Sequence, residues 1–202
     1  MNTLDEKMEE LDQHYVSLLQ KKQESLEKGD AFQEEKEFQQ LSQFMYSYDV
    51  YRESSIGNYL FIKEFMEKNG FQTIVDIGTA YGMQSELFRA FAYIGVDNTS
   101  GKEKTLQWRE EEEDVTYIHG VYPCPLPPMD KATTLGVSVL CLTWNCYLYS
   151  DDALHEQLSA LRRDFDHVLL YTPLTAQEMS PYFTVQHLRQ NYYYLTTNKE
   201  EF

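Results

Sequence analysis

Ile74-Val75-Asp76-Ile77-Gly78-Thr79-Ala80-Tyr81-Gly82 is the stretch that decides the fold. Thr73–Ile77 is a short, apolar, β-rich run and reads as a buried strand. The chain then passes Gly78, Ala80 and Gly82 and enters a helical pattern that opens near Tyr81 and continues over Glu86–Phe91. A strand, a glycine-rich turn and a helix in this order place backbone N–H groups beside a cavity at the strand's carboxyl end. Glycine lets a ligand approach the backbone closely. The next strand, Tyr93–Val96, closes on Asp97, 19 residues after Gly78. An acid at that point can accept hydrogen bonds from two ribose hydroxyls.

Outward from this unit, further strands are expected at Val115–Ile118, within Ala132–Leu140, and at His167–Tyr171, the last ended by Pro173. Tyr122–Met129 carries four prolines and reads as a loop. Ala153–Arg163 is amphipathic and helical, and Lys104–Glu113 is expected to be a polar helical connection. It runs into five consecutive acids, Glu110 to Asp114, whose plain reading is a solvated face. Tyr182–Val185 and Tyr192–Thr196 form a final strand pair. The expected class is α/β: a Rossmann-like, mostly parallel twisted sheet with helices on both faces and an antiparallel C-terminal edge hairpin.

The first 50 residues differ in character. They hold one glycine, no proline, and 12 acidic against 5 basic residues. Met1, Leu4, Met8, Leu11, Tyr15 and Leu18 fall on one helical stripe, and Phe38, Leu41, Phe44, Met45 and Tyr48 make a second. Lys28-Gly29-Asp30 separates them as a helix stop followed by an N-cap. The spacing predicts a helical hairpin over 3–28 and 31–47, and another helix from Ser54 to about Lys68, stopped by Asn69-Gly70. The domain division expected is 1–50, a cap over the substrate side or a homodimer contact, and 51–202, the α/β domain.

Over residues 73–98 the sequence resembles the class I S-adenosylmethionine-dependent methyltransferases, whose first strand ends in D-x-G-x-G-x-G. Here the pattern is Asp76-Ile77-Gly78-Thr79-Ala80-Tyr81-Gly82, with Ala80 in place of the middle glycine. In strand order the resemblance extends over roughly 55–202. It implies S-adenosylmethionine as cofactor. Asp76 would sit near the cofactor's ammonium group, and Gly78, Thr79, Ala80 and Gly82 would form a wall along its methionine and ribose. Asp97 would hold the ribose hydroxyls, Asn98 would lie beside the adenine, and Gly120 and Val121 would meet the adenine edge. The competing nicotinamide-dinucleotide turn, G-x-G-x-x-G, is not present.

The substrate side is poorer in landmarks. The Asp/Asn-Pro-Pro-aromatic tetrad of amino-group base methylation is missing after the fourth strand, where Leu135–Cys141 stands instead. Pro123-Cys124 follows the third strand, not the fourth, so Cys124 reads as a filler, as does Cys146. His119 reads as a loop histidine rather than a base. Trp144, Tyr147 and Tyr149 are candidates for a substrate pocket. The histidines and cysteines show no metal-ligand spacing, so no metal is expected.

Charge and composition bound the partners. Seventeen basic against 33 acidic residues give a net charge of -16, which disfavours autonomous nucleic-acid binding. No apolar run approaches the ~18 residues of a membrane span. The opening residues show no secretory signal, and three cysteines without such a signal suit a reducing cytoplasm. The function expected is methyl transfer to a small-molecule or protein acceptor. The alternative is a catalytically inactive methyltransferase-like protein that binds a basic protein partner.

Overall fold

The computed structural model describes residues 3–98, 108–109, 111–139 and 151–197. Among the described residues seven strands form one sheet: β1 (Thr73–Ile77), β2 (Ala92–Asp97), β3 (Val115–His119), β4 (Thr134–Ser138), β5 (His167–Tyr171), β6 (Thr184–Arg189) and β7 (Tyr192–Thr196). Their spatial order is β3-β2-β1-β4-β5-β7-β6. The first five run parallel, and β7 then pairs antiparallel with both β5 and β6. The parallel strands are short and apolar because both faces of the sheet are covered. The fold is therefore the expected Rossmann-like sheet, with its antiparallel hairpin at one edge.

Alternation along the strands divides the interior into two cores. One face carries Ile74, Tyr93, Leu135 and Leu169, and it packs against the N-terminal helices. The other carries Val75, Ile77, Ile94, Val96 and Val168, packed against α4 (Asp151–Asp164) with Leu158, Leu161 and Phe165.

The N-terminal helices are α1 (Leu4–Lys28), α2 (Glu35–Val50) and α3 (Ile56–Asn69). Thr3 and Glu6 form a capping box at the start of α1, and Gly29 ends it at φ 72°. The distal half of the α1–α2 hairpin packs on itself, with Tyr15 stacked on Phe38 at 5.2 Å. Its proximal half, Leu4, Met8 and Phe44, joins the first core of the sheet. No break separates α2 from α3. Tyr51–Ser55 is a single π-helical turn that carries the helix through.

Three local expectations are corrected. The segment after the glycine turn is a six-residue 3-10 helix, Met83–Phe88, rather than an α-helix over Tyr81–Phe91. Gly82 at φ 69° delays the start, and the chain must be back at Ala92 to begin β2. A 3-10 helix rises about 2.0 Å per residue against about 1.5 Å for an α-helix, so it spans more length with fewer residues. In the connection ahead of β3, residues 101–107 and 110 lie outside the described residues, and 108–109 and 111–114 are turn and bend. Arg109 stands at φ 64°, which an α-helix cannot accommodate. The sixth strand begins at Thr184 rather than Tyr182, because Tyr182 and Phe183 donate their N–H groups to Met179 O at the end of the short helix α5 (Ala176–Met179).

The acidic run is also no plain solvated face. Glu112 bonds Arg109 at 2.7 Å and Arg89 at 3.1 Å, and Asp114 bonds Arg109 at 2.6 Å. The Arg109 side chain is 1% exposed, and a buried guanidinium needs such counter-charges.

Candidate functional site

The site is built where β1 ends. Gly78 at φ 87° and Ala80 at φ 51° reverse the chain over the carboxyl edge of the sheet. The turn is tied down from several sides. Gly78 N–H donates to Val96 O at 2.8 Å and Gly82 N–H to Thr79 O at 3.0 Å. Ala80 N–H donates to Asp97 Oδ2 at 2.8 Å. Gly82 admits no side chain: a Cβ there would lie 2.0 Å from the Tyr117 hydroxyl, which itself donates to Trp108 O at 2.5 Å.

Beneath the turn lies Asp76, fully buried. Its carboxylate accepts from Gln84 Nε2 at 2.6 Å and from the Tyr93 hydroxyl at 2.7 Å, with a longer contact from the Tyr59 hydroxyl at 3.4 Å. Thr79 Oγ1 completes the cluster, 2.5 Å from the Tyr93 hydroxyl and 3.0 Å from Gln84 Nε2. None of these partners is a cation. Burial pushes the Asp76 carboxyl above its ordinary range, and its four hydrogen-bonding neighbours act in the opposite direction. Burial first, then the Asp76 charge, raises the hydroxyls of Tyr59 and Tyr93 well above the usual phenol range.

A cavity of about 150 Å³ opens against the turn. Gly78, Thr79, Ala80, Tyr81, Met83 and Gln84 form its floor. Tyr46, Ser47 and Val50 of α2, Tyr51 and Ser55 of the π-helical turn, and Tyr59 of α3 form its roof. Among the described residues no charged side chain lines it. π-Helical turns often re-aim side chains at functional sites, and here both ends of the turn face the cavity.

The residues singled out in the sequence therefore separate into three groups. Gly78, Thr79 and Ala80 line the cavity, while Asp76 and Gly82 are buried beside it. Asp97 lies across the turn, half-buried, and its backbone oxygen accepts Gly120 N–H at 3.0 Å. Asn98 and Val121 are exposed and lie outside the cavity wall. His119 stands opposite Asp97 in the β2–β3 register. Cys124 is half-buried, and burial followed by the Asp164 charge raises its thiol, the reverse of an activated nucleophile. Cys141, Trp144, Cys146, Tyr147 and Tyr149 lie outside the described residues. Among the described residues no cluster of metal-ligating side chains occurs, and no helix is long and apolar enough to cross a membrane.

Sequence reasoning offered residues 1–50 as a cap without naming the roof residues, and it missed the buried cluster. A signal existed for the cluster: an acid inside an otherwise apolar strand needs hydrogen-bond partners, and Gln84 is the near polar residue. No comparable signal marked Tyr46, Ser47 or Val50, which belong to a helix 28 or more residues before the turn.

The site's chemistry can be tested against the cofactor implied by the motif. The turn amides of Gly78, Thr79, Ala80 and Gly82 are all bonded within the protein. They offer no nest for a pyrophosphate, and the short 3-10 helix offers no long helix dipole. A sulfonium cofactor needs neither. Tyrosine faces and an uncharged wall suit a cationic, partly apolar group. The cavity is smaller than the ~300 Å³ at which whole small-molecule sites begin.

No protein-family model matches the chain, and no curated protein matches it. Solved structures do. WbdD is 14% identical with a TM-score of 0.50, over 69% of this chain and 40% of that one. Magnesium protoporphyrin IX methyltransferase ChlM from Synechocystis PCC 6803, with bound S-adenosylmethionine, is 13% identical with a TM-score of 0.49, over 73% of this chain and 81% of that one. CalS10, an amino pentose methyltransferase from Micromonospora echinaspora, is 13% identical with a TM-score of 0.48, over 66% of this chain and 57% of that one. The match thus spans less than half the length of WbdD, described as a bifunctional kinase-methyltransferase. The likeness to WbdD carries the fold alone: both have a Rossmann-like sheet.

Proposed function

We propose that this chain is a cytoplasmic S-adenosylmethionine-dependent methyltransferase acting on a small molecule or protein. The observation that supports this reading most directly is the Gly78–Gly82 turn. It faces an uncharged, tyrosine-lined cavity on one side and is bonded to Asp97 on the other. Gly78, Thr79 and Ala80 would hold the methionine end, with Gly82 and Asp76 beneath them. Asp97 would accept the ribose hydroxyls, and Asn98, Gly120 and Val121 would border the adenine. When bound, the cofactor supplies an electrophilic methyl group. The protein's part is to orient it and to exclude water, since positioning alone can supply much of the catalysis of a displacement. The roof residues of α2 and the π-helical turn perform the exclusion.

Calorimetric titration of S-adenosylmethionine and S-adenosylhomocysteine into the full chain tests the reading. Binding is expected in the wild type, and Asp97→Ala should weaken it by about 1–3 kcal/mol, the order expected when a charged acceptor is lost. Folded wild type that binds neither compound removes the assignment.

A second reading is favoured by the exposure of the acidic hairpin, where Glu9, Glu10, Asp12, Glu24, Glu27 and Asp30 all face solvent. Under it the fold is kept without transfer and a basic protein docks on the helices. Its signature is an association whose affinity falls steeply as salt rises.

A further inference from the structure

The buried cluster under the turn has a direction to it. Three of its bonds end on Thr79. Its hydroxyl meets Tyr93 at 2.5 Å and Gln84 at 3.0 Å, and its carbonyl accepts Gln84 at 2.9 Å. Behind them, Asp76 holds both of these groups through a single oxygen, Oδ2. Tyr93 is fully buried and has no place in the cavity wall, and neither has Asp76. Thr79 is followed directly by Ala80, whose left-handed φ of 51° is uncommon for a residue with a Cβ. Such a conformation persists when the surroundings over-determine it. The packing agrees, because Gly95 leaves room for Thr79: a Cβ on Gly95 would lie 2.8 Å from Thr79 Cγ2.

We propose that Asp76 is a positioning residue that acts on the turn through Tyr93, Gln84 and Thr79 and makes no contact with the ligand. This refines the cofactor site proposed above and rests on that reading only for its effect on affinity. The resemblance would put Asp76 beside the cofactor's ammonium. The bonds described here give it a different task, which is to lock Thr79 so that Ala80 is held over Asp97. Gln84 and Tyr59 both bond Asp76 and line the cavity, so they carry the cluster to its wall. A buried network whose members are all satisfied confers rigidity of this kind.

The test uses Tyr93→Phe, which removes one hydroxyl outside the cavity and keeps the ring. Thr79→Val removes the same junction from the other side. The first measurement needs no ligand. Amide hydrogen exchange at Ala80 and Gly82 should speed up about tenfold or more in both variants, with Val75 and Ile94 of the adjoining strands unchanged. Exchange at the turn equal to wild type in both variants overturns the proposal. The second measurement is S-adenosylhomocysteine affinity. Tyr93→Phe and Asp76→Asn should each weaken it about tenfold, and the double variant should be no worse than the weaker single one, as coupled residues require. A loss confined to Asp76→Asn, with Tyr93→Phe binding normally, would mean direct contact and would also overturn the proposal. If wild type fails to bind while the exchange pattern appears, the cofactor reading falls and the positioning role stands.

Discussion

The two faces of one sheet are built on opposite principles. The face against α4 is dry: Val75, Ile77, Ile94, Val96, Leu161, Phe165, Val168 and Leu170 fill it. The face against the N-terminal helices holds, within the same strands, Asp76, Tyr93 and Asp97, and above them Thr79, Gln84 and Tyr59. One face gains stability from close packing. The other accepts a buried carboxylate with no cationic partner, which burial alone disfavours. Proteins tolerate that cost chiefly where a site requires it, and the cavity lies on this face.

The largest effect should come from breaking the dry face. Phe165 is fully buried and packs against Gly136, where a Cβ would lie 2.9 Å from its ring. Phe165→Ala should cost about 3–5 kcal/mol, read as a lowered midpoint in urea unfolding. The change should leave the exchange behaviour of the turn unaltered relative to its own global stability.

A smaller effect with a distinctive sign is expected at Asp76. Its carboxyl lies above the ordinary value of 3.8, so the folded protein keeps this proton to higher pH than the unfolded chain does. In the window between those two values the folded state binds more protons, and this group's contribution to stability falls as pH rises. Above the window the loss is complete. Asp76→Asn carries no titrating group, so its stability relative to wild type should rise with pH across the acid range. Thermal melts at a series of pH values would check this. A relative stability that falls instead would mean that Asp76 is stabilised as the anion.

The smallest effect on stability should come from the roof. Tyr46 lines the cavity yet is 71% exposed. Tyr46→Ala should change unfolding free energy by no more than about 0.5 kcal/mol, as surface substitutions usually do. It should still weaken S-adenosylhomocysteine binding several-fold by calorimetry. Unchanged affinity would detach α2 from the site.

Much of the architecture was legible because parallel strands covered on both faces must be short apolar runs, and Thr73–Ile77, Ala92–Asp97 and His167–Tyr171 are such runs. Gly29 and Gly70 were legible as helix ends because both take the left-handed conformation that glycine favours. The 3-10 helix was not legible, since the apolar spacing of Phe88 and Phe91 suits either helix type and only the distance back to Ala92 selects between them. Thr184 as the start of β6 was hidden for a similar reason, because the hydrogen bonds to Met179 O extend as far as the apolar Phe183.

Local chemistry decided the strand–turn–strand unit: a β-rich run, residues able to take positive φ, and an acid 19 residues after Gly78 act over distances that sequence spacing encodes. Tertiary structure alone decided what surrounds it. Tyr46, Tyr51 and Tyr59 reach the turn because α2, the π-helical turn and α3 pack onto one face of the sheet. Asp76 is directed to Thr79 because Tyr93 and Gln84 converge on it in the core. Those contacts depend on how elements pack, and packing direction is set by the whole set of buried surfaces rather than by any one stretch of chain.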